Sequence, residues 1–139
     1  MKVYLAHPVN ADEYWHQIIS DICWSVSPDI EIMDPFAYTP KAEDDPEQRK
    51  VFSKLILDVN MRLIERASLV IAVIDNRDMG VVWEMGYAHA MRTDIITVSA
   101  HDYDNNIMLQ SSVLAHVKNI HENAKVLRAI INTVIGSRS

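Results

Sequence analysis

The sequence predicts an α/β protein in which parallel strands alternate with helices along the chain. Short apolar runs are separated by longer segments with helical spacing of apolar residues, which is the pattern of consecutive βα units. The run LVIAVI at residues 69–74 has no polar alternation, as expected for a central parallel strand covered on both faces. The 139 residues are 49% hydrophobic, so we expect one domain over residues 1–139 with its own core.

The first half of the chain contains two predicted strands and two predicted helices. The first strand ends at a His-Pro pair and the second at an Asp-Pro pair, because proline interrupts regular structure. In order, the segments are a strand at 3–6, a helix at 11–24, a strand at 30–33, a loop at 35–48 and a helix at 49–67. Apolar spacing in the second helix predicts a core-facing set: Val51, Leu55, Ile56, Val59 and Leu63.

The second half begins with the apolar strand at 68–75, followed by a helix that contains Glu84. The remaining segments are a strand at 94–99, a polar turn at 100–106, a segment at 107–117, a short strand near 117–120 and a helix at 122–135. In parallel sheets with right-handed crossovers, ligands bind outside the carboxyl ends of the strands. Functional side chains are therefore expected in the loops at 4–10, 34–45, 75–80 and 99–106.

Composition excludes several classes of function. The net charge is −6 and the 13 basic residues form no stripe, so we expect no nucleic-acid partner. The apolar runs are too short to span a bilayer, and the N-terminus leads directly into a strand rather than a signal peptide. Cys23 is alone, which excludes an internal disulfide and agrees with a cytoplasmic location. The histidines lack metal-site spacing and no GxGxxG, P-loop or GxSxG motif occurs, so we expect a small ligand without a metal or nucleotide cofactor.

Glu84 is the first candidate for chemistry because it lies in an apolar, aromatic-rich helix directly after the central strand. Gly80 would permit a tight turn into this helix, and Asp78 would cap its first turn. The helix dipole would then help to keep Glu84 ionised, and an ionised carboxylate can attack the anomeric carbon of a sugar. The alternative is an ordinary acid near a helix start, solvated or paired with Arg92 or His89.

Other acids and a tyrosine are weaker candidates on their own. Asp75 and Asp78 follow the central strand, where aspartate commonly caps and turns, and one of them could instead face a ligand. Asp58 lies in the middle of a helix and could simply pair with Arg62 four residues later. Tyr4 lies in the first strand, where its hydroxyl needs a partner that a pocket carboxylate could provide, although core packing explains it equally well.

Four features, taken in order, resemble the nucleoside 2-deoxyribosyltransferase family over about residues 3–112. They are VYLAHP at the first strand, an aspartate within LILDVNMRLIERASLVIAVID, the segment DMGVVWEMGYAHAM, and NIM after the next strand. The most specific part is ASLVIAVID followed by GVVWEMGYA. The resemblance implies a flavodoxin-like five-stranded parallel sheet with helices on both faces, and catalysis through a deoxyribosyl-enzyme ester without a cofactor.

The resemblance also implies roles for the matching residues. Glu84 would be the nucleophile and Tyr4 would orient it. Asp58 and Asp78 would hold the nucleobase and pass it a proton, as expected when two nearby carboxylates raise the pKa of one of them.

Further substrate contacts are expected at His7, Asp75, Gly80, Asn106 and Met108. Asn106 and Met108 would belong to a sugar-contacting turn that a neighbouring subunit often supplies in the family, which predicts a homo-oligomer with shared active sites. His7 departs from the family pattern, because glycine is usual in the corresponding turn. Val81 and Val82 also depart from it, since small or hydroxyl residues are common after the glycine.

Three functions are considered. The first is transfer of 2-deoxyribose between nucleobases of 2'-deoxyribonucleosides, a salvage reaction with deoxyribonucleosides and free nucleobases as substrates. The second is hydrolysis of the N-glycosidic bond of a nucleoside or 5'-nucleotide. The turn HPVNADEYW has no Arg, Lys, Ser or Gly to grip a 5'-phosphate, which favours nucleosides over nucleotides. The third is a non-catalytic nucleoside sensor, and the presence of Glu84, Asp78 and Asp58 argues against it.

Overall fold

In the computed structural model, which describes residues 1–8, 13–38, 45–102 and 104–138, five parallel strands form one sheet. The strands are β1 (Lys2–Ala6), β2 (Glu31–Met33), β3 (Leu69–Val73), β4 (Asp94–Val98) and β5 (Ala115–Val117), and their order across the sheet is β2-β1-β3-β4-β5. The register aligns Tyr4 with Met33 on one side and with Val70 on the other. The predicted flavodoxin-like α/β fold is confirmed.

Helices cover both faces of the sheet. Their bounds are α1 (Trp15–Val26), α2 (Pro35–Tyr38), α3 (Pro46–Arg66), α4 (Met79–Ala90), α5 (Ile107–Ser112) and α6 (Ile120–Arg138). On one face, α1 and α6 pack on the side chains of Val3, Leu5 and Ile71. On the other face, α3 and α4 pack on Tyr4 and Val70. Within the described ranges no helix is long and apolar enough to cross a membrane.

The strand order reverses between β1 and β3. From β1 the chain moves outward to β2, and then returns across β1 to place β3 on its other side. The carboxyl ends of β1 and β3 therefore lie beside each other, with crossovers leaving in opposite directions. This arrangement creates a crevice, which is where ligands bind in open α/β sheets. The helices that flank this crevice on the Tyr4 face are α3 and α4.

The predicted loop at 35–48 contains two helix starts. The Asp34 side chain accepts a hydrogen bond from the Phe36 backbone N–H at 3.0 Å, at the start of α2. The Asp45 side chain accepts one from the Glu47 N–H at 3.1 Å, and Pro46 is the first residue of α3. Aspartate followed by proline is a turn signal in sequence, but it also matches a helix cap followed by the first helical position. Residues 39–44 of this loop, and residues 11–12 of the first predicted helix, lie outside the described residues.

The core face of α3 differs from the prediction. Leu63 and Ile64 are buried, whereas Val51 and Leu55 are 71% and 49% exposed. The prediction that Val51 and Leu55 face the core is therefore wrong for the single chain. The sheet is reached only by the C-terminal part of this 21-residue helix. The last strand is also displaced from its predicted position, because β5 ends at Val117 and α6 begins at Ile120.

Candidate active site

Glu84 is buried on α4, with 9% of its surface exposed, and its Oε2 has no hydrogen-bond partner among the described residues. Neither of the expected partners, Arg92 and His89, forms an ion pair with it there. Burial raises the pKa of Glu84 from its ordinary value of 4.5 to about 8. The expectation that the helix dipole keeps this carboxyl ionised is wrong for the ligand-free chain. Glu84 is the sixth residue of α4, beyond the first turn in which the dipole acts, so desolvation dominates.

The helix start that positions Glu84 is organised by Asp78. Its Oδ1 accepts a hydrogen bond from the Val81 N–H at 3.1 Å, which confirms the predicted N-cap. The tight turn before the helix uses left-handed backbone at Asn76 (φ 65°) and Arg77 (φ 48°), not at Gly80. Gly80 matters for another reason, since a Cβ added there would lie 3.1 Å from Asp78 Oδ1. Asn76 and Arg77 therefore make the turn that was predicted for Gly80.

Glu84 lies on the flank of α4 that faces α3. Tyr87, three residues later, shares this flank, and its hydroxyl donates a hydrogen bond of 2.5 Å to Glu65 of α3. The Trp83 ring stacks on Tyr87 with ring centroids 5.6 Å apart. The carboxyl group is thus held between α4 and α3, on the side of the sheet where β1 and β3 carry their Tyr4-face side chains.

Among the other buried polar atoms that lack hydrogen-bond partners in the described part of the chain, two belong to elements that pack against α4. They are the hydroxyl of Tyr4, which is fully buried, and Oδ1 of Asn60, on α3. The elements that carry Tyr4, Asn60 and Glu84 pack against one another. Tyr4 and Glu84 therefore lie on the same side of the sheet but do not hydrogen-bond each other, and the predicted orienting role of Tyr4 stays a prediction. Asn60 is a candidate that the sequence reasoning missed, because an amide within a helix carries no signal until its burial is known.

The structure does not bring Asp58 to this group. Asp58 is exposed, and it lies about 200° around α3 from Asn60, since successive helical residues are about 100° apart. It belongs to the same outer surface as the exposed Val51 and Leu55. In the single chain, Asp58 and Glu84 therefore do not face one ligand from α3 and α4.

A second concave region, which we call the α4–α5 cleft, has a volume of about 960 Å³ and lies on the other flank of α4. It is lined by residues at the ends of β3 and β4 and by α5, among them Asp75, Asp78, Val82, Asn105, Asn106 and Met108. Val82 lies about 200° around the helix from Glu84. The cleft therefore gathers four of the predicted site residues, but it does not contain the predicted nucleophile.

Within the α4–α5 cleft, two of the predicted residues already have structural partners. Both carboxylate oxygens of Asp75 accept a hydrogen bond from the Ala100 N–H, at 3.1 and 3.0 Å, which joins the carboxyl ends of β3 and β4. Oδ1 of Asn106 accepts from the Met108 N–H at 2.9 Å and caps α5. The Met108 side chain is 79% exposed. Their predicted contacts with substrate stay predictions.

His7 belongs to a buried hydrogen-bonded cluster at the carboxyl ends of β1 and β2. Its Nε2 is 2.9 Å from Asp34 Oδ2, its Nδ1 is 3.1 Å from the Pro8 carbonyl oxygen, and His16 Nδ1 reaches the same Asp34 oxygen at 3.0 Å. Burial acts to raise the pKa of Asp34, but the hydrogen bonds and charge of His7, with the bonds from His16 and Phe36, lower it overall. His7 thus ties the first turn to β2, and its predicted substrate contact stays a prediction. Among the described residues, no group of three or more His, Cys, Asp or Glu is placed to hold a metal ion.

The fold and the buried carboxyl on α4 define a flavodoxin-like α/β protein with unpartnered polar atoms on the side of the sheet covered by α3 and α4. The sequence matches the model of the nucleoside 2-deoxyribosyltransferase family over residues 3–123. The chain belongs to this family. Membership of this family supports an enzyme.

Comparison with solved structures shows the same fold. A 2-deoxyribosyltransferase from Bacillus psychrosaccharolyticus superposes with a TM-score of 0.67 at 22% identity, covering 89% of this chain and 90% of that one. The CMP N-glycosidase BcmB of Clostridium botulinum gives 0.56 at 18% identity, over 91% of this chain and 98% of the other. A conserved protein from Enterococcus faecalis V583 gives 0.62 at 16% identity, over 99% and 98%. No curated protein matches the sequence significantly.

Proposed function

We propose that the protein transfers 2-deoxyribose between the nucleobases of 2'-deoxyribonucleosides through a covalent ester on Glu84. One observation carries the proposal beyond family membership. A buried carboxyl with an unpartnered oxygen lies on α4, the helix that follows the carboxyl end of β3, and open α/β sheets bind ligands at the carboxyl ends of their strands. An unpaired buried carboxyl oxygen is costly, by about 1–3 kcal/mol or more, and such groups are concentrated at functional sites.

The reaction balances through two displacements at carbon-1' of the sugar. The ionised Glu84 oxygen forms a bond to this carbon while the bond to the nucleobase breaks, and the base leaves with the electron pair and takes up a proton. A second nucleobase then attacks the same carbon and releases its N–H proton, the ester bond breaks, and the freed carboxylate of Glu84 takes up that proton. Because the pKa of Glu84 is about 8, the carboxyl is mostly protonated near neutral pH. Glu84 therefore loses one proton when it attacks, and the leaving base gains one.

Asp78 is proposed to relay this proton and contact the base from the start of α4. It lies six residues before Glu84, which corresponds to about 9 Å along a helix axis. That distance is suitable for a group at the far end of a bound nucleoside rather than for direct contact with the nucleophile. Tyr4 is proposed to orient Glu84 once substrate fills the pocket, because a buried hydroxyl without a partner is available for this role.

We also propose that the active form is a homo-oligomer with shared sites. Large apolar side chains are exposed around α4 and α5, including Met79 (86% exposed), Trp83, Ile107 and Met108. Such a surface is typical of an interface between subunits. Asn106 and Met108 line the α4–α5 cleft, whose lining does not include Glu84, so we propose that this sugar-contacting turn serves Glu84 of a neighbouring copy. Light scattering coupled to size exclusion should give a mass at least twice 15.9 kDa, and a monomer would contradict this part of the proposal.

Location and pathway follow from the same chemistry. Exchange of bases between nucleosides is a salvage reaction, which supports a cytoplasmic enzyme.

Burial raises the pKa of the free Cys23 thiol to about 12, so this cysteine is an inert core residue rather than a nucleophile.

The decisive experiment is incubation of the protein with deoxyinosine or thymidine and free adenine, followed by chromatography of the products. New deoxyadenosine supports the transferase. Free base without a new nucleoside indicates the hydrolase instead, and absence of both contradicts the proposal. Glu84→Gln is the matched control, since it keeps the size of the side chain and removes its ability to form the ester.

A further inference from the structure

The inner face of α3 contributes one polar side chain to the side of the sheet that carries Glu84. Leu63 and Ile64 are buried and Val59 packs against the same core cluster. Asn60 lies four residues before Ile64, so these two side chains share one face of the helix. Asn60 is half-buried, and its Oδ1 is fully shielded from solvent.

This amide oxygen has no hydrogen-bond partner among the described residues. Most buried side-chain polar atoms in proteins are hydrogen-bonded, and each exception requires an explanation. Two other unpartnered atoms, the Tyr4 hydroxyl and Glu84 Oε2, belong to β1 and α4, which both contact α3. Three unsatisfied polar atoms on three mutually packed elements are best explained by a polar ligand that completes their hydrogen bonds.

We propose that Asn60, and not Asp58, is the residue of α3 that binds the substrate, and that its neutral amide hydrogen-bonds the nucleobase of the nucleoside. This inference rests on the proposed function. An amide presents one donor and one acceptor side by side, so it matches the edge of a base that offers an acceptor beside a donor, as in adenine. The amide does not titrate, so Asn60 holds the base and transfers no proton to it.

The chemistry of the pocket changes with this assignment. An aspartate at this place would put a second carboxyl beside Glu84, and like charges would raise the pKa of one of the two. With an amide there, Glu84 is the acid within this group of three side chains, and the group is neutral when Glu84 is protonated. These three side chains suit an uncharged nucleoside, and none of them is a cation that could bind a 5'-phosphate. The selectivity for nucleosides then arises from the Glu84 pocket as well as from the first turn.

The test compares four variants of the full-length protein in the base-exchange assay. Asn60→Ala should lower kcat/KM by roughly 10- to 100-fold, mainly through KM, because a binding contact is lost. Asp58→Asn and Lys54→Ala, both on exposed positions of α3, should stay within about twofold of the wild type. Asn60→Asp should move the rise of kcat/KM with pH to higher pH, a change that a merely structural role for Asn60 would not produce.

Stability separates binding from folding. Asn60→Leu removes an unsatisfied amide from a site that accepts a side chain of similar size, so its melting temperature should equal or exceed that of the wild type. A substantially lower melting temperature for Asn60→Leu would overturn the inference by showing a structural role. So would loss of activity in Asp58→Asn together with full activity in Asn60→Ala.

Failure of the proposed function is detected separately by ligand-induced thermal shift with deoxyinosine, thymidine and adenine. If the wild type exchanges and releases no base but is stabilised by one of these probes, the transferase proposal fails and the Asn60 assignment is judged by this shift. Loss of the shift in Asn60→Ala, with retention in Asp58→Asn, supports the assignment. An unchanged shift in Asn60→Ala, or the absence of any shift in the wild type, overturns it.

Discussion

Replacement of Glu84 by glutamine keeps the size of the side chain and removes its ionisation, so it isolates the energetic cost of the buried carboxylate. The pKa of Glu84 is about 8 in the folded protein and has its ordinary value of 4.5 in the unfolded chain. A carboxyl with a raised folded pKa contributes its full stability below the unfolded pKa. That contribution is lost as the pH rises through the interval between the two values.

The magnitude follows from the width of this interval. Each pH unit between the unfolded and folded pKa values changes the free energy of unfolding by about 1.4 kcal/mol. Because the slope is smaller near each pKa, the wild type should lose about 3.5 kcal/mol between pH 5 and pH 8 through Glu84 alone. For a chain of this size the corresponding difference in melting temperature is roughly 10 °C. Glu84→Gln should lack this loss, so it should be clearly more stable than the wild type at pH 8 and nearly equal to it at pH 5.

The measurement is urea unfolding at pH 5, 6, 7 and 8, with all proteins at one concentration, since association would otherwise shift the midpoints. The exposed Glu31→Gln serves as the matched control and should follow the wild type at every pH. The other ionisable groups are shared by the wild type and Glu84→Gln, so the difference between these two curves reports on Glu84. Parallel curves for wild type and Glu84→Gln would refute the reasoning, because the carboxyl would then be stabilised when ionised.

Three further outcomes are expected. The kcat/KM for base exchange should rise with pH toward a plateau above about pH 8, because the nucleophile must ionise in the free enzyme. A profile that is flat from pH 6 to 9 would argue against Glu84 as the nucleophile. Asp78→Asn should keep the helix cap but lower kcat by roughly 10²-fold or more. Asp78→Ala should in addition cost about 1 kcal/mol of stability, because the cap is lost. A fully active Asp78→Asn enzyme would show that Asp78 is only a helix cap. Asp34→Asn should lower the free energy of unfolding by about 2 kcal/mol near pH 6. The wild type should lose this advantage below about pH 4, as the pH falls toward the lowered pKa of Asp34, and equal urea midpoints for the two proteins at pH 6 would contradict this account.

The architecture could be predicted from the sequence because apolar periodicity reports directly on which residues a strand or helix buries. The run at residues 69–74 is β3 flanked by β1 and β4, as a fully apolar strand requires. The predicted loop at 35–48 failed because Asp45-Pro46 has the same sequence signature as a turn and as a helix start. Only the hydrogen bond from the Glu47 N–H to Asp45 distinguishes the two.

The site was only partly predictable, because burial depends on the whole fold. The helix-start signals around Asp78 are local, and they identified the cap correctly. The ionisation of Glu84 depends on desolvation by residues distant in sequence, which outweighs the local dipole. Likewise, α3 carries apolar residues on two faces, and its sequence does not show which one meets the sheet. Apolar spacing predicts that Val51 and Leu55 face the core. Asp58 lies on that same face of the helix, and it was predicted as the polar site residue instead of Asn60.

The uneven packing of α3 leaves Val51 and Leu55 exposed, and in the proposed homo-oligomer a neighbouring subunit that covered them would link assembly to catalysis. The chain itself buries only Leu63 and Ile64 in this helix, so the residues before Val59 have little tertiary stabilisation within one subunit. Segments of that kind open locally at a free-energy cost far below that of global unfolding. Asn60 stands at the border between the anchored and the weakly held part. Dilution that separates subunits should therefore loosen the helix up to Asn60, and nucleoside binding should oppose dissociation by mass action.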